Sequence, residues 1–194
     1  MSLTQSNNLP THHGTTTVGL VCSNATIIAT DTRVTAGHMF IAHKAGKKIM
    51  QVDDHLALTI AGGVADAQNI VDILKYYTGI YKLEHRSLMP VKSVARLTSN
   101  IFFSARMYPY MAQVLVAGYD STGPNLFDVD LFGSLNEEKY ASTGSGSPVA
   151  YGVLENEYKE NMTVSQGVSL AARSVYAAIQ RNSGTGDSID VAIM

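Results

Sequence analysis

The sequence contains little cysteine and little charge, and each shortage excludes a class of protein. Among 194 residues there is one cysteine, Cys22, which rules out an intrachain disulfide and is typical of a reducing compartment. Charged residues make up 15% of the chain and the formal net charge is −2, so no basic surface is available to neutralise a nucleic-acid backbone. We therefore expect no nucleic-acid partner. With 45% hydrophobic residues, the low charge instead predicts one domain with large buried or subunit-facing surfaces.

Long apolar runs and ligand-binding motifs are also missing from the sequence. No segment reaches the roughly 18 to 20 apolar residues that a membrane span needs, so we expect no membrane association. Residues 1–14, MSLTQSNNLPTHHG, lack the basic start and the apolar stretch of a secretory signal, which leaves the cytoplasm as the expected location. No cysteine or histidine pair has zinc-ligand spacing, and no phosphate-binding loop signature occurs.

What the sequence does contain is runs of strands separated by pairs of helices. Short strands with close turns occupy residues 15–62 and predict an antiparallel meander. Apolar residues then recur at helical spacing in one segment after Gly63 and in another after Pro90. Three strands follow, ending with EKYASTG, then a short helix in GSGSPVAYGVLE, a long helix with a capping box at Thr163, and a last strand, SIDVAIM. This order predicts an α+β fold in which helices cover two stacked antiparallel sheets.

One acidic residue lies within an apolar strand. The segment ATDTRVTAG places Asp31 where an unpaired carboxylate would be costly to bury. The segment AGKKI places Lys47 and Lys48 at the start of another strand of the meander, near enough to supply a partner. The residues alone leave two interpretations open, a structural ion pair and a catalytic carboxylate–lysine pair.

The threonine-rich strand TTTVGLV begins abruptly behind Gly14, after a tail without apolar periodicity. One interpretation is that Thr15 becomes the first residue of the working protein. Six segments in this order, GTTTVG, ATDTRVTAG, KKIMQVDD, LTIAGGVADAQ, YASTGSGSPVAYGVLE and GDSIDVAI, resemble the β subunits of the 20S proteasome, most closely the archaeal type. They run from residue 14 almost to the end of the chain. The resemblance implies a four-layer α-β-β-α sandwich of the N-terminal nucleophile hydrolase family.

The resemblance also implies an activity and a processing step. Residues 1–14 would be a propeptide, removed by autolysis at the Gly14–Thr15 bond, and residues 15–194 a single hydrolase domain. The activity would be that of a threonine-type endopeptidase that degrades unfolded proteins to peptides. No metal or organic cofactor is implied. Glycine before the threonine suits the cleavage, because a residue without Cβ lets the hydroxyl approach its own preceding carbonyl.

Six positions match the family's catalytic site: Thr15, Asp31, Lys48, Gly62, Ser145 and Asn182. Thr15 would supply both the nucleophilic hydroxyl and the basic α-amine. An α-amine titrates near pH ~7.7–8 and a lysine near ~10.4, so the amine is the better base at neutral pH and the lysine is a fixed positive charge. Asp31 would hold that lysine. The family pattern favours Lys48, but one extra residue before the lysine pair keeps Lys47 as an alternative.

The remaining positions would bind substrate. The N–H of Gly62 would stabilise the oxyanion, and Ser145 would bond the Thr15 amine. Val34, Ile60 and Val64 would form an apolar wall for the P1 side chain. The backbone groups of Thr35 and Gly62 would pair the substrate as an added strand.

The chain also departs from the family pattern. Asn182 stands where an aspartate is usual, Thr185 stands where a serine is usual, and the pattern continues beyond the position of Met194 with a further strand and helix. A non-catalytic β subunit that serves ring assembly is therefore the second interpretation. A third is the related bacterial two-ring peptidase that works without α subunits. For the first interpretation, the implied partners are other β subunits in a heptameric ring, α-subunit rings, a regulatory ATPase unfoldase and unfolded polypeptides.

Overall fold

The computed structural model describes residues 14–36 and 40–194; the predicted propeptide before Gly14 and residues 37–39 lie outside the described residues. The described residues form eleven strands and four helices, in this order: β1 Thr17–Val21, β2 Thr26–Asp31, β3 Val34–Ala36, β4 Phe40–His43, β5 Ile49–Asp53, β6 Leu56–Gly62, α1 Val64–His85, α2 Val91–Ser104, β7 Ala112–Asp120, β8 Gly123–Val129, β9 Leu135–Glu137, β10 Tyr140–Thr143, α3 Ser147–Glu157, α4 Val164–Arg181 and β11 Ile189–Ile193.

The strands form two main sheets in which all neighbours are antiparallel. One sheet has four strands in the order β10-β1-β2-β11, and the other has five in the order β5-β6-β7-β8-β9. Strands β3 and β4 pair separately as a two-stranded ribbon. The antiparallel hairpins predicted in residues 15–62 are present as the pairs β1–β2, β3–β4 and β5–β6. They do not form one continuous meander, because the three pairs belong to three different sheets.

Three apolar clusters show how the layers stack. Ile28 of β2 and Leu115 of β7 belong to a cluster between the two sheets. On the outer face of the five-stranded sheet, Leu74 of α1 belongs to a second cluster that also contains α2 residues. On the outer face of the four-stranded sheet, Leu20 of β1 packs with Leu170 of α4 and with α3. The layers therefore run helices, sheet, sheet, helices, which confirms the α-β-β-α sandwich.

Local sequence explains where the helices begin. Pro90 lies at the N-cap of α2, and Gly63 lies at the N-cap of α1. The capping box predicted at Thr163 is present, because its side chain accepts from the Gln166 N–H and the Gln166 side chain accepts from the Thr163 N–H. The capping box closes the first turn of α4.

Three details of the predicted strands were wrong. Strand β9 was not predicted, because it has only three residues and two of them are exposed, so it shows no apolar alternation. The strand predicted as EKYASTG begins at Tyr140, two residues later than expected. Thr15 and Thr16 also precede β1 instead of forming part of it. The last difference matters for the site, because both residues bond to side chains from other elements.

Candidate active site

Strands β1 and β2 bring the segment around Thr15 beside Asp31. Thr17 pairs with Thr30, so the residues that precede β1 lie next to the last residue of β2. The Thr16 N–H donates to Asp31 Oδ1 at 2.9 Å, and the Asp31 N–H donates to the Thr16 carbonyl oxygen at 3.2 Å. These two bonds hold the backbone immediately after Thr15.

Asp31 is fully buried, and four donors satisfy its carboxylate. Oδ1 accepts from the Lys48 ammonium at 2.7 Å as well as from the Thr16 N–H. Oδ2 accepts from the Gly186 N–H at 2.9 Å and from the Arg33 N–H at 3.2 Å. A cation and three backbone donors offset the cost of burying the charge. The expected pairing of Asp31 with a lysine of the meander is present.

The two lysines of the pair have different surroundings. Lys48 is 7% exposed, whereas Lys47 is exposed and has no ion pair among the described residues. Burial lowers the pKa of the Lys48 ammonium below its ordinary value, and attraction to Asp31 opposes that shift. The structure thus places Lys48, and not Lys47, against the carboxylate.

Thr15 is nearly buried, and its hydroxyl lies against the peptide bond that precedes it. The hydroxyl donates to the carbonyl oxygen of Gly14 at 2.7 Å. The Thr15 N–H donates to Ser145 Oγ at 3.3 Å. The Gly14 N–H donates to Thr35 Oγ1 at 2.9 Å. Side chains from two other parts of the chain therefore hold the residues on either side of the Gly14–Thr15 bond.

Hydrogen bonds connect Ser145 to Asn182 and Thr185, which follow α4. Asn182 Oδ1 accepts from Ser145 Oγ at 3.1 Å, from the Gly184 N–H at 3.0 Å and from Thr185 Oγ1 at 3.0 Å. Because an amide oxygen only accepts, Thr185 must give its proton to Asn182. The 2.7 Å bond between Thr16 Oγ1 and Thr185 Oγ1 then has Thr16 as its donor. Three donors converge on one uncharged oxygen.

A cavity opens in front of Thr15. Its lining contains Thr15, Lys48 and all five positions expected to bind substrate, and the full set is Gly14, Thr15, Arg33, Val34, Thr35, Lys47, Lys48, Met50, Ile60, Gly62, Val64 and Ala67. Asp31, Ser145 and Asn182 do not line it; they reach the site through their bonds to Lys48, Thr15 and Ser145.

Gly62 adopts a backbone conformation that favours glycine. Its φ is +135°, and a Cβ at this position would lie 1.9 Å from the carbonyl oxygen of Met111. A larger residue would therefore displace the end of β6 from the wall of the cavity. The described residues contain no group of three or more His, Cys, Asp or Glu side chains that could hold a metal ion.

A family model for the proteasome subunit matches residues 11–194. The chain belongs to the proteasome subunit family. It is 53% identical over 182 residues to proteasome subunit beta 2 of Nitrosopumilus maritimus, a match that covers 94% of this chain and 86% of that protein. It is 49% identical over 181 residues to proteasome subunit beta of Thermoplasma acidophilum, covering 93% of this chain and 85% of that protein. The resemblance to archaeal proteasome β subunits is confirmed.

Family membership gives the chain a role in the 20S core proteasome, which assembles from several subunits and whose β subunits are generally proteases. Among the described helices of this β-type chain, none combines the length and apolarity needed to cross a membrane.

Sequence reasoning missed one residue that this proteasome subunit uses to fix its site. The Arg33 guanidinium donates to Asp187 Oδ2 at 3.0 Å and to the Ser183 carbonyl oxygen at 3.0 Å. It thereby ties the loop that carries Asn182 to the two-residue connection between β2 and β3. Its position two residues after Asp31 was the available signal, because its own N–H donates to that carboxylate.

Proposed function

We propose that this chain is a catalytic threonine endopeptidase subunit of the 20S core, and that it activates itself by cleaving its Gly14–Thr15 bond. The observation that carries the proposal is the 2.7 Å contact between the Thr15 hydroxyl and the Gly14 carbonyl oxygen, in a nearly buried site beside the Lys48–Asp31 pair. The proposed nucleophile, the proposed scissile carbonyl and a positive charge would thus lie around one cavity, which Thr15, Gly14 and Lys48 line.

Self-processing would begin with an N-to-O acyl shift. The Thr15 hydroxyl oxygen bonds to the Gly14 carbonyl carbon, the carbon–nitrogen bond breaks, and the hydroxyl proton passes to the Thr15 nitrogen. Water then hydrolyses the ester, which releases the Gly14 carboxylate and restores the hydroxyl. Residues 1–14 leave as the propeptide. Until then the nitrogen is an amide, so it cannot act as a base.

In the mature chain, the Thr15 amine would act as the general base for its own hydroxyl. A neutral amine is more available near pH 7 than a neutral lysine, because the ordinary pKa values are ~7.7–8 and ~10.4. Lys48 would stay charged and favour the ionised hydroxyl oxygen. Ser145, which already accepts from the Thr15 nitrogen, would orient the amine, and Gly62 would donate to the oxyanion.

The cavity lining supports a preference for apolar P1 side chains. Val34, Ile60, Val64 and Met50 contribute apolar walls. Burial of each CH₂ group of a P1 side chain is worth about 0.8 kcal/mol, so leucine or phenylalanine would bind better than a charged residue. Extended, unfolded polypeptide would pair with the backbone of Thr35 and Gly62 as an added strand.

The proposed setting is a cytoplasmic particle. The β subunits would form a heptameric ring, flanked by rings of α subunits, and a regulatory ATPase unfoldase would supply substrate. The support is membership of the family, together with the low proportion of charged residues.

One observation favours a second candidate, a non-catalytic β subunit. Asn182 presents an uncharged amide oxygen to three hydrogen-bond donors. Among the described residues, Asp31 is therefore the one buried carboxylate in the site behind Thr15. A site with less negative charge would orient Ser145 and the amine less firmly.

Peptide hydrolysis by the assembled particle tests the proposal. Wild type should hydrolyse a peptide with leucine at P1 about tenfold or more faster than one with aspartate at P1. Thr15→Ala should abolish hydrolysis, whereas Thr59→Ala, at a buried threonine whose hydroxyl has no partner among the described residues, should retain it. A processed wild-type particle without activity would favour the non-catalytic subunit.

A further inference from the structure

We propose that Thr35 is a positioning residue for self-processing, because its side-chain hydroxyl holds the residue before the scissile bond. This inference rests on the proposed function. It concerns the side chain of Thr35, whereas the binding of substrate as an added strand would use the backbone groups of the same residue.

The first observation is a buried hydrogen bond. The Gly14 N–H donates to Thr35 Oγ1 at 2.9 Å, and Thr35 is 6% exposed. Thr35 is the middle residue of β3 and pairs with Ile41 of β4. The hydroxyl therefore belongs to a paired strand, although the residue that it holds precedes β1.

The second observation is the close approach of two glycines. A Cβ built on Gly14 would lie 2.1 Å from Gly184 Cα, and one built on Gly184 would lie 2.4 Å from Gly14 Cα. The α-carbon of Gly14 thus rests on the backbone of the loop after α4. A glycine before Thr15 is needed here for space, in addition to any chemical advantage.

Together with the Thr15 hydroxyl, these contacts restrain three groups of Gly14. Thr35 holds its N–H, Gly184 abuts its α-carbon, and the Thr15 hydroxyl bonds its carbonyl oxygen. An unrestrained glycine rotates more freely about φ and ψ than any other residue. Because attack requires the Gly14 carbonyl carbon to face Thr15 Oγ1, a restraint at the N–H lowers the fraction of unproductive orientations.

The position of the hydrogen bond explains why it would act on the first step. In that step the bond from Thr15 Oγ1 to the Gly14 carbonyl carbon forms and the Gly14–Thr15 carbon–nitrogen bond breaks, with the hydroxyl proton moving to the nitrogen. The Thr35 hydroxyl exchanges no proton or electron pair with these atoms. Once water has hydrolysed the ester, Gly14 leaves and the restraint has no further function in processing.

The test compares Thr35→Val with Thr35→Ser in the full chain within the assembled particle. Valine keeps the branched shape and strand preference of threonine but lacks the hydroxyl, whereas serine keeps the hydroxyl. Loss of residues 1–14 is followed over time by intact mass. Thr35→Val should slow processing about tenfold, the order expected when a buried donor loses its partner, and Thr35→Ser should stay within about threefold of wild type. Thr59→Val, the same change at a buried hydroxyl without a partner among the described residues, should process at the wild-type rate.

A second measurement separates positioning from general damage to the site. When part of the Thr35→Val chain has been processed, peptide hydrolysis is divided by the processed fraction. The loss in processing should exceed the loss in hydrolysis per processed subunit by about fivefold or more. Equal losses of processing and of hydrolysis in Thr35→Val would overturn the proposed role of Thr35 but not the proposed function. Normal processing of Thr35→Val, measured beside a processed wild type, would have the same meaning. A wild type that retains residues 1–14 would instead contradict the proposed function.

Discussion

Lys48 and Asp31 form a buried ion pair, with the ammonium nitrogen 2.7 Å from Oδ1. The aspartate side chain is inaccessible to solvent and the lysine side chain is 8% exposed. Thr16, next to the proposed nucleophile, donates its N–H to the same carboxylate oxygen. The pair therefore connects a charge in the cavity to the backbone that carries Thr15.

Replacement of Lys48 should remove activity far more completely than replacement of its neighbour. Lys48→Ala deletes the charge beside Thr15 and leaves Asp31 buried without its cation, so processing and peptide hydrolysis should fall by about a thousandfold or more. Lys47→Ala removes an exposed side chain from the rim of the cavity and should change both rates by less than about threefold. The reverse order of effects would show that Lys47 is the functional lysine.

The activity of the mature particle should fall at alkaline pH before the chain unfolds. Burial lowers the pKa of Lys48, so its charge is lost as pH rises through a value below the ordinary ~10.4. Between the folded and the unfolded pKa the unfolded chain binds more protons, and the contribution of this group to the free energy of unfolding therefore rises with pH.

Peptide hydrolysis and unfolding should thus separate in that range. Hydrolysis and circular dichroism are measured together from pH 8 to about 10.4. If hydrolysis were lost in parallel with folded structure, the result would contradict the assignment of the alkaline fall in activity to Lys48.

A carboxylate in place of the Asn182 amide should speed both self-processing and peptide hydrolysis. Oδ1 of Asn182 accepts from Ser145, Gly184 and Thr185, and bonds to a charged acceptor are roughly twice as strong as bonds to a neutral one. Asn182→Asp should therefore orient Ser145 and the Thr15 amine more firmly and speed both processing and hydrolysis. Asn182→Ala, which removes the acceptor, should slow both. Unchanged or lower rates for Asn182→Asp would mean that the asparagine does not limit this site.

Asp128, a partly buried carboxylate outside the candidate site, affects stability instead of catalysis. Asp128 on β8 pairs with Leu115 of β7 and with Asn136 of β9. Burial, with smaller repulsion from Glu138 and Asp130, raises the pKa of Asp128 to about 6. The folded chain then binds more protons than the unfolded chain between about pH 4 and 6, so this group costs stability as pH rises through that range.

Asp128→Asn should consequently stabilise the chain at neutral pH. We expect an increase of roughly 1 to 2 kcal/mol in the free energy of unfolding at pH 7, after allowance for partial solvent screening, and little change at pH 4. Denaturant unfolding at the two pH values measures the difference. An equal effect at both values would show that the charge of Asp128 is not its cause.

Sequence patterns predicted most elements because their signals are local. The capping box at Thr163 lies within four residues, and the pairing of Asp31 with a lysine follows from the cost of burying a carboxylate in a strand. Strand β9 was not predicted, because its three mostly exposed residues show no periodicity. The contact of Gly14 with Gly184 escaped because it joins residues far apart in the chain, and no spacing in either segment signals it.

Intact mass of the assembled wild-type and Thr15→Ala particles tests self-activation most directly. Wild type should lose residues 1–14, because the Thr15 hydroxyl already contacts the carbonyl oxygen of Gly14, whereas Thr15→Ala should assemble and keep them. The particles must contain no other active β subunit, so that cleavage by a neighbour is excluded. Cleavage after Gly14 in Thr15→Ala, or an uncleaved wild type, would contradict the account.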